Sequence, residues 1–229
     1  MGAQFERLSE KALELVRDGS RLGLGSGHTA SAFIGALGER VRAGLRVVGV
    51  PTSEESAALA RKCGIPLAEL DNRPLDLTID GADEVEPRSL NLIKGWGGAL
   101  VRERIVAAAS ERQIILVGPD KIVQRLGSRG KLPVEIIPFA APYCRRRIKG
   151  LAGFGSLEPA VRGGDAHPFV TDNGNWIFDC ALEPQDAPAV LQRQLLEIPG
   201  VVDTGLFIGT AALVLVEDAG SVRELLPSR

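Results

Sequence analysis

The chain has 229 residues, 45% hydrophobic and 24% charged, enough to bury a sizeable core as one large domain or two smaller ones. A net charge of -2 and an aromatic content of 4% remove the electrostatic and stacking grounds for a nucleic-acid partner, and the charge gives no pull toward an anionic membrane. Cys63, Cys144 and Cys180 lie far apart and only His28 and His167 could join them, so zinc-ligand spacing is absent and reduced thiols of a cytoplasmic protein are expected.

Met1 to Arg21 is rich in charges and lacks the apolar core of a secretory leader, and no run of about 18 apolar residues is long enough for a membrane helix. Within that first stretch Leu8, Ala12, Leu15 and Val16 recur at helical spacing until Asp18-Gly19. Arg21 to Leu24 reads as a short buried strand that runs into Gly25-Ser26-Gly27-His28-Thr29, and Ala32, Phe33, Ala36 and Leu37 then mark one side of a helix. Arg46 to Val50 is a second strand, and Pro51-Thr52-Ser53-Glu54 is a turn with an N-cap for a helix over 54–62. Leu75 to Ile79 is a third strand, ending at Asp80-Gly81-Ala82-Asp83-Glu84; a helix over Gly98–Ala109 and a strand over Gln113–Val117 follow. This alternation predicts an α/β fold, a mostly parallel Rossmann-like sheet with helices on both faces. Every glycine-rich or acidic motif falls at a strand's carboxyl end, where such sheets bind ligands.

After Lys131 the rhythm changes. Leu132–Ile137 is strand-like, Tyr143–Leu151 a basic helix, and short strands are expected near Gly155–Leu157, Pro168–Thr171 and Trp176–Cys180. A helix over 186–197 and a strand over Val201–Gly205 complete a β, α, β, β, α, β run resembling a small ferredoxin-like α+β domain inserted in the larger one. Leu213–Val216 and a last helix over 218–226 are expected to return to the first sheet, giving domains 1–130 with 206–229, and 131–205.

Taken singly, the motifs leave alternatives open. Gly25-x-Gly27-x-x-Ala30 fits a loose dinucleotide fingerprint, but the second strand ends Val50-Pro51-Thr52 without the expected acidic residue. No Gly-Lys-Ser/Thr is present, so a helix N-terminus with the Ser26 and Thr29 hydroxyls remains, suited to a phosphate or to a plain tight turn. Asp80 and Asp83 can bind a metal, orient sugar hydroxyls or cap a turn, though no third metal ligand lies close by in sequence. Lys94, beside Gly95, Gly97 and Gly98, is either a point charge for an oxyanion or a surface lysine in a flexible loop. Glu103, flanked by Arg102 and Arg104, has the look of a solvated carboxylate, and His28 that of a loop-shaping residue without an orienting partner.

In order and with their gaps, these pieces resemble ribose-5-phosphate isomerase of the A type over nearly the whole chain. The resemblance runs through Gly23-Leu24-Gly25-Ser26-Gly27-His28-Thr29-Ala30, Asp80-Gly81-Ala82-Asp83-Glu84-Val85 and Leu92-Ile93-Lys94-Gly95-Trp96-Gly97-Gly98-Ala99-Leu100. It continues in Arg102–Val106, Leu132–Pro138, Thr171-Asp172-Asn173-Gly174-Asn175 and Ile198–Val202. It implies Glu103 as base, Asp80 and Asp83 as paired carboxylates and Lys94 as the active-site lysine. Substrate contacts would fall on Ser26, Gly27, His28 and Thr29, on Gly81 and Ala82 between the aspartates, on Gly95, Trp96 and Gly97, and on Lys121. It also implies a large α/β domain with a small α+β insert and a homo-oligomer, dimer or tetramer. Three positions depart from the family's habit: His28 replaces a small hydroxyl residue, Trp96 a glycine, and Gly118-Pro119-Asp120 a more polar stretch before Lys121. A tryptophan at position 96 would be strained if the backbone there needed a positive φ.

The implied reaction interconverts ribose 5-phosphate and ribulose 5-phosphate through an enediolate, in the non-oxidative pentose phosphate pathway, with no cofactor and no metal. It needs a carboxylate near the carbon acid and donors where the oxyanion forms. Glu103 would shuttle the carbon proton, Lys94 and glycine-loop amides would hold the oxyanion, and Asp80 would exchange protons at the sugar oxygens. Asp83 would assist ring opening or hold a hydroxyl, and the Ser26–Thr29 loop with Lys121 would anchor the phosphate. The alternative is a non-catalytic sugar-phosphate-binding regulatory module, which leaves Glu103 unexplained. An acyl-coenzyme A transferase wants a differently placed glutamate, and a sugar-phosphate deaminase a histidine–carboxylate pair.

Overall fold

The structure, a computed structural model, describes residues 2–227. In chain order the elements are α1 (Gly2–Leu13), β1 (Arg21–Leu24), α2 (His28–Arg42), β2 (Val48–Pro51), α3 (Glu54–Lys62), β3 (Leu77–Asp80), β4 (Glu84–Val85), β5 (Leu92–Ile93), α4 (Leu100–Ala108) and β6 (Gln113–Val117). They continue as β7 (Lys131–Ile136), α5 (Ala141–Lys149), β8 (Glu158–Val161), β9 (Trp176–Ala181), α6 (Pro188–Leu196), β10 (Val201–Thr204), β11 (Leu206–Phe207), β12 (Ala211–Asp218) and β13 (Ser221–Leu225).

The large sheet has the order β2-β1-β3-β6-β12-β13, parallel except for the last pair. Its central strands β3 and β6 are buried at every residue, as strands covered on both faces must be. Leu22, Leu24, Phe33, Leu37, Ile79 and Ile114 form the core on one side, while Ile115, Val117, Val214 and Val216 form it on the other. From β1 the chain crosses one way to β2 and the other way to β3. The crevice beyond the ends of β1 and β3 is therefore a topological switch point, where open α/β sheets bind ligands.

The second sheet, β10-β7-β9-β8, is antiparallel throughout, and its strands and helices follow the β-α-β-β-α-β succession read from the sequence. Val134, Cys144, Ile148, Phe178, Leu191 and Leu195 are in its core. The expected strand at 155–157 lies instead at Glu158–Val161, and 168–171 holds only a single bridge from Val170 to Trp176. The Phe169 N–H donates to Arg162 O and the Arg162 N–H to Ile177 O, so the chain is tied down without a regular ladder.

A third sheet of two-residue strands, β11-β5-β4, is too short to leave a periodic signature in sequence. Its role is positional. It ends β5 at Ile93 and sets Lys94, whose N–H donates to Gly205 O at 2.9 Å.

The expected helix over 218–226 is instead β13, the second arm of a hairpin whose Asp218 pairs with Ser221. A two-residue turn decides the matter. Ala219 and Gly220 have φ of 49° and 88°, the left-handed pair that matches strand twist in tight hairpins. Ala219 is the costly member, so Ala219→Asn should stabilise the fold by about 0.5–1 kcal/mol, read as a rise in Tm of about 1–4 °C. A fall in Tm would contradict this hairpin.

Candidate active site

Asp80 closes β3 and is fully buried. Its Oδ1 accepts the N–H groups of Ser26 at 3.1 Å and Gly81 at 2.8 Å, tying the ends of β1 and β3 together. Gly25 makes this possible, because a Cβ there would lie 2.2 Å from Asp80 Oδ1. Lys94, 2% exposed, reaches across from the end of β5. Its ammonium sits 2.9 Å from Asp80 Oδ2 and 3.4 Å from Glu103 Oε1, donates to Gly81 O at 2.6 Å, and lies 5.6 Å from the centre of the Phe207 ring.

Glu103 stands in the first turn of α4 and points inward, 5% exposed. Its Oε2 has no hydrogen-bond partner among the described residues. The flanking arginines that suggested a solvated position are engaged elsewhere. Arg102 donates to Glu54 Oε1, Asn173 Oδ1 and Asp172 O, all at 3.0 Å. Arg104 is bonded to Asp203 and to the carbonyls of Thr204 and Leu206, with its guanidinium 4.0 Å from the centre of the Phe207 ring. The two arginines pin α4 to neighbouring elements and leave the inward face to Glu103.

Burial dominates the Glu103 carboxyl and, with Asp80 and Asp83 nearby, pushes its pKa up to about 8 against the pull of Lys94. Burial alone would lower the Lys94 pKa, but Asp80 and Glu103 outweigh it and hold the ammonium above its ordinary value. Burial also raises Asp83, opposed by the Trp96 N–H that donates to its Oδ2 at 2.9 Å. A permanent cation thus sits beside a carboxyl whose proton is exchangeable near neutral pH, as acid–base chemistry on carbon requires.

These groups open into a cavity of about 590 Å³ at the switch point. Asp83, Lys94 and Glu103 share its lining with Gly81 and Ala82 and with Gly95, Trp96 and Gly97; Asp80 stands behind Lys94. Ser26, Gly27, His28, Thr29 and Lys121 also line it. The N-terminus of α2 has Gly27 at φ 84° and no side-chain cap, so its leading N–H groups are free to meet an anion. Gly27 and His28 are exposed there, and Lys121 Nζ lies 3.3 Å from its neighbour Asp120. The Ser26 hydroxyl turns away into a cluster with Thr52, Ser53 and Ser56, and Ser56 donates to Gly25 O at 2.6 Å. Loop rigidity is what that hydroxyl supplies, a role the spacing alone did not show.

Trp96 is not strained: positive φ falls on Gly95 and Gly98 at 95° each, and Trp96 is not among the non-glycine residues with positive φ. Its indole packs against the core of the antiparallel sheet, with Arg129 and Lys131 over the ring at 4.9 and 4.7 Å. Phe207, Arg162 and the Thr52–Ser56 cluster were not anticipated, since each reaches the site from a distant segment without a local motif. A larger groove of about 760 Å³ between α1 and α2 is edged by Glu6, Glu10, Glu14 and Glu39 with Arg40 as its one basic residue, a poor surface for an anion. Among the described residues no three His, Cys, Asp or Glu side chains are grouped as metal ligands would be, and no helix is long and apolar enough to cross a membrane.

Residues 48–220 match the family model of ribose 5-phosphate isomerase A (phosphoriboisomerase A). The ribose-5-phosphate isomerase A of Gloeobacter violaceus is 49% identical over 221 residues, covering 96% of this chain and 94% of that protein. The solved ribose 5-phosphate isomerase A of Methanocaldococcus jannaschii superposes with a TM-score of 0.91 at 39% identity, covering 97% of this chain and 98% of its own. A D-ribose-5-phosphate isomerase in complex with phospho-erythronic acid superposes with a TM-score of 0.88 at 36% identity, covering 97% of each chain. Sequence and fold agree along nearly the full length, and the chain belongs to the ribose 5-phosphate isomerase A family.

Proposed function

We propose that this site interconverts ribose 5-phosphate and ribulose 5-phosphate, the activity for which its relatives are named, and so serves the pentose phosphate pathway. The observation that carries the reading is Glu103: a buried carboxylate with one unpartnered oxygen, facing a cavity beside a buried ammonium. Glu103 removes the C2 proton of the open-chain aldose, and the electron pair moves to the carbonyl, giving an enediolate. Lys94 and the glycine-loop N–H groups stabilise the oxyanion, and Glu103 returns the proton to C1. Asp80, behind Lys94, acts through that ammonium, which exchanges protons at the sugar oxygens, and Asp83 holds a hydroxyl or assists ring opening. The phosphate lies at the α2 N-terminus, with Lys121 across from it. We further propose a cytoplasmic homo-oligomer, dimer or tetramer, built from a large unit of 1–130 with 206–229 and a small unit of 131–205. Exposed Phe139, with Ile137 and Val202, offers an apolar surface for a second copy.

EDTA-treated protein should convert ribose 5-phosphate to the ketose; absence of ketose would overturn this reading. Its kcat/KM should rise with pH and level off only near pH 8, because the base must be unprotonated and its pKa is about 8. An ordinary glutamate would level off near pH 5, and the phosphate's own ionisation, near 6, is too low to produce that limb.

A further inference from the structure

Arg162, directly after β8, reaches from the antiparallel sheet to the lysine loop. One of its nitrogens, Nη1, donates to two successive carbonyls, Gly95 O and Trp96 O, both at 3.1 Å. The other face of the guanidinium is held by Asp179 on β9, with Nε to Oδ2 at 3.0 Å and Nη2 to Oδ1 at 2.5 Å. The group is 13% exposed and stacks 5.7 Å from the Phe169 ring centre, and that ring covers Gly98 so closely that a Cβ there would lie 2.6 Å from it.

The Gly95 carbonyl also accepts the Gly98 N–H at 3.0 Å, so the peptide that depends on Arg162 alone among the described residues is Trp96–Gly97. In a trans peptide the N–H points away from the preceding carbonyl, and the chain has no cis bonds among the described residues. With Gly95 O turned to Arg162, the Trp96 N–H meets Asp83 Oδ2. With Trp96 O turned the same way, the Gly97 N–H is directed oppositely. It has no acceptor among the described residues, and Gly97 lines the cavity beside Lys94. Such a peptide is free to rotate unless its carbonyl is held, and a rotated peptide would present an oxygen to the developing oxyanion.

We propose that Arg162, backed by Asp179, is a positioning residue that holds the Trp96 carbonyl away from the cavity and so aims the Gly97 N–H at the enediolate oxygen. This rests on the isomerase reading above. The energetic role belongs to the transition state, because a preformed donor acts where charge develops.

The test is Arg162→Met beside wild type, with kcat, KM and the Kd values of phospho-erythronic acid, whose carboxylate stands in for the enediolate, and of ribitol 5-phosphate, a neutral polyol at the same end. The expected result is a fall in kcat of about 10²-fold with KM within about threefold. Phospho-erythronic acid should weaken by more than about tenfold and the polyol phosphate by less than about threefold, with Arg162→Lys recovering part of kcat. Wild-type-like kcat, or equal weakening of both ligands, would overturn the proposal. Should Arg162→Met fail to fold, Asp179→Asn, which leaves the guanidinium in place but unbacked, carries the same comparison with about a tenfold loss expected. An inactive wild type would sink the isomerase reading instead, so the two failures are told apart.

Discussion

Glu103→Gln should lower kcat by about 10³-fold while the Kd for phospho-erythronic acid changes by less than about tenfold, because the amide keeps shape and polarity but cannot take a proton. The same variant should be more stable than wild type at alkaline pH. Burial raises the folded-state pKa of Glu103 from an ordinary 4.5 to about 8. The stability from that bound proton is fully present below pH 4.5 and is lost as pH rises through 8. Glutamine does not titrate, so the variant gains on wild type across that window. Lys94 is not stranded by the change, since Asp80 remains 2.9 Å away. Calorimetry at pH 5 and pH 9 reads the gain. Turnover within tenfold of wild type, or a loss of stability growing with pH, would defeat the assignment of Glu103 as base.

The sequence exposed the scaffold of this site more fully than its chemistry. Alternating apolar runs located β1, β3 and β6, and the motifs at their ends fell at the switch point because parallel strands align all their carboxyl ends on one edge. The small sheet was legible in its longer elements, β7, α5, β9 and α6, whereas the four-residue β8 was expected at 155–157 and 168–171 proved to hold a single bridge. What stayed hidden depends on contacts between distant segments. Glu103 read as solvated because charge neighbours in sequence suggest water, whereas Arg102 and Arg104 leave α4 toward residues 172–173 and 203–206. The two-residue strands that seat Lys94 have no period to detect, and the Ala219-Gly220 turn lacks the Asn-Gly signal that would have marked a hairpin. The family resemblance named Glu103 and Lys94, and the geometry supplies the physical reason such residues are buried together.

Lys94 is the residue whose removal should cost both activity and stability heavily. Its ammonium is the only cation within ion-pair distance of Asp80 and Glu103 among the described residues, and both carboxylates are at most 5% exposed. Lys94→Met keeps the apolar stem but leaves two carboxyl groups facing each other in a dry site. Breaking a buried pair from one side costs about 3–5 kcal/mol, and loss of the oxyanion partner should lower kcat by about 10²–10³-fold. The stability loss has a signed pH dependence. Without the ammonium the Glu103 carboxyl pKa rises further, and a raised carboxyl contributes stability at low pH that is lost as pH increases. The deficit against wild type should therefore shrink toward pH 5 and widen toward pH 8. Adding Glu103→Gln removes one of the stranded charges, so the double variant should regain a large part of the lost stability at pH 8 and none of the activity. Thermal melts of the two single variants and the double variant form a cycle that isolates the Lys94–Glu103 coupling. Strict additivity in that cycle would mean that Lys94 acts on Asp80 alone, and that the 3.4 Å approach to Glu103 carries no energy.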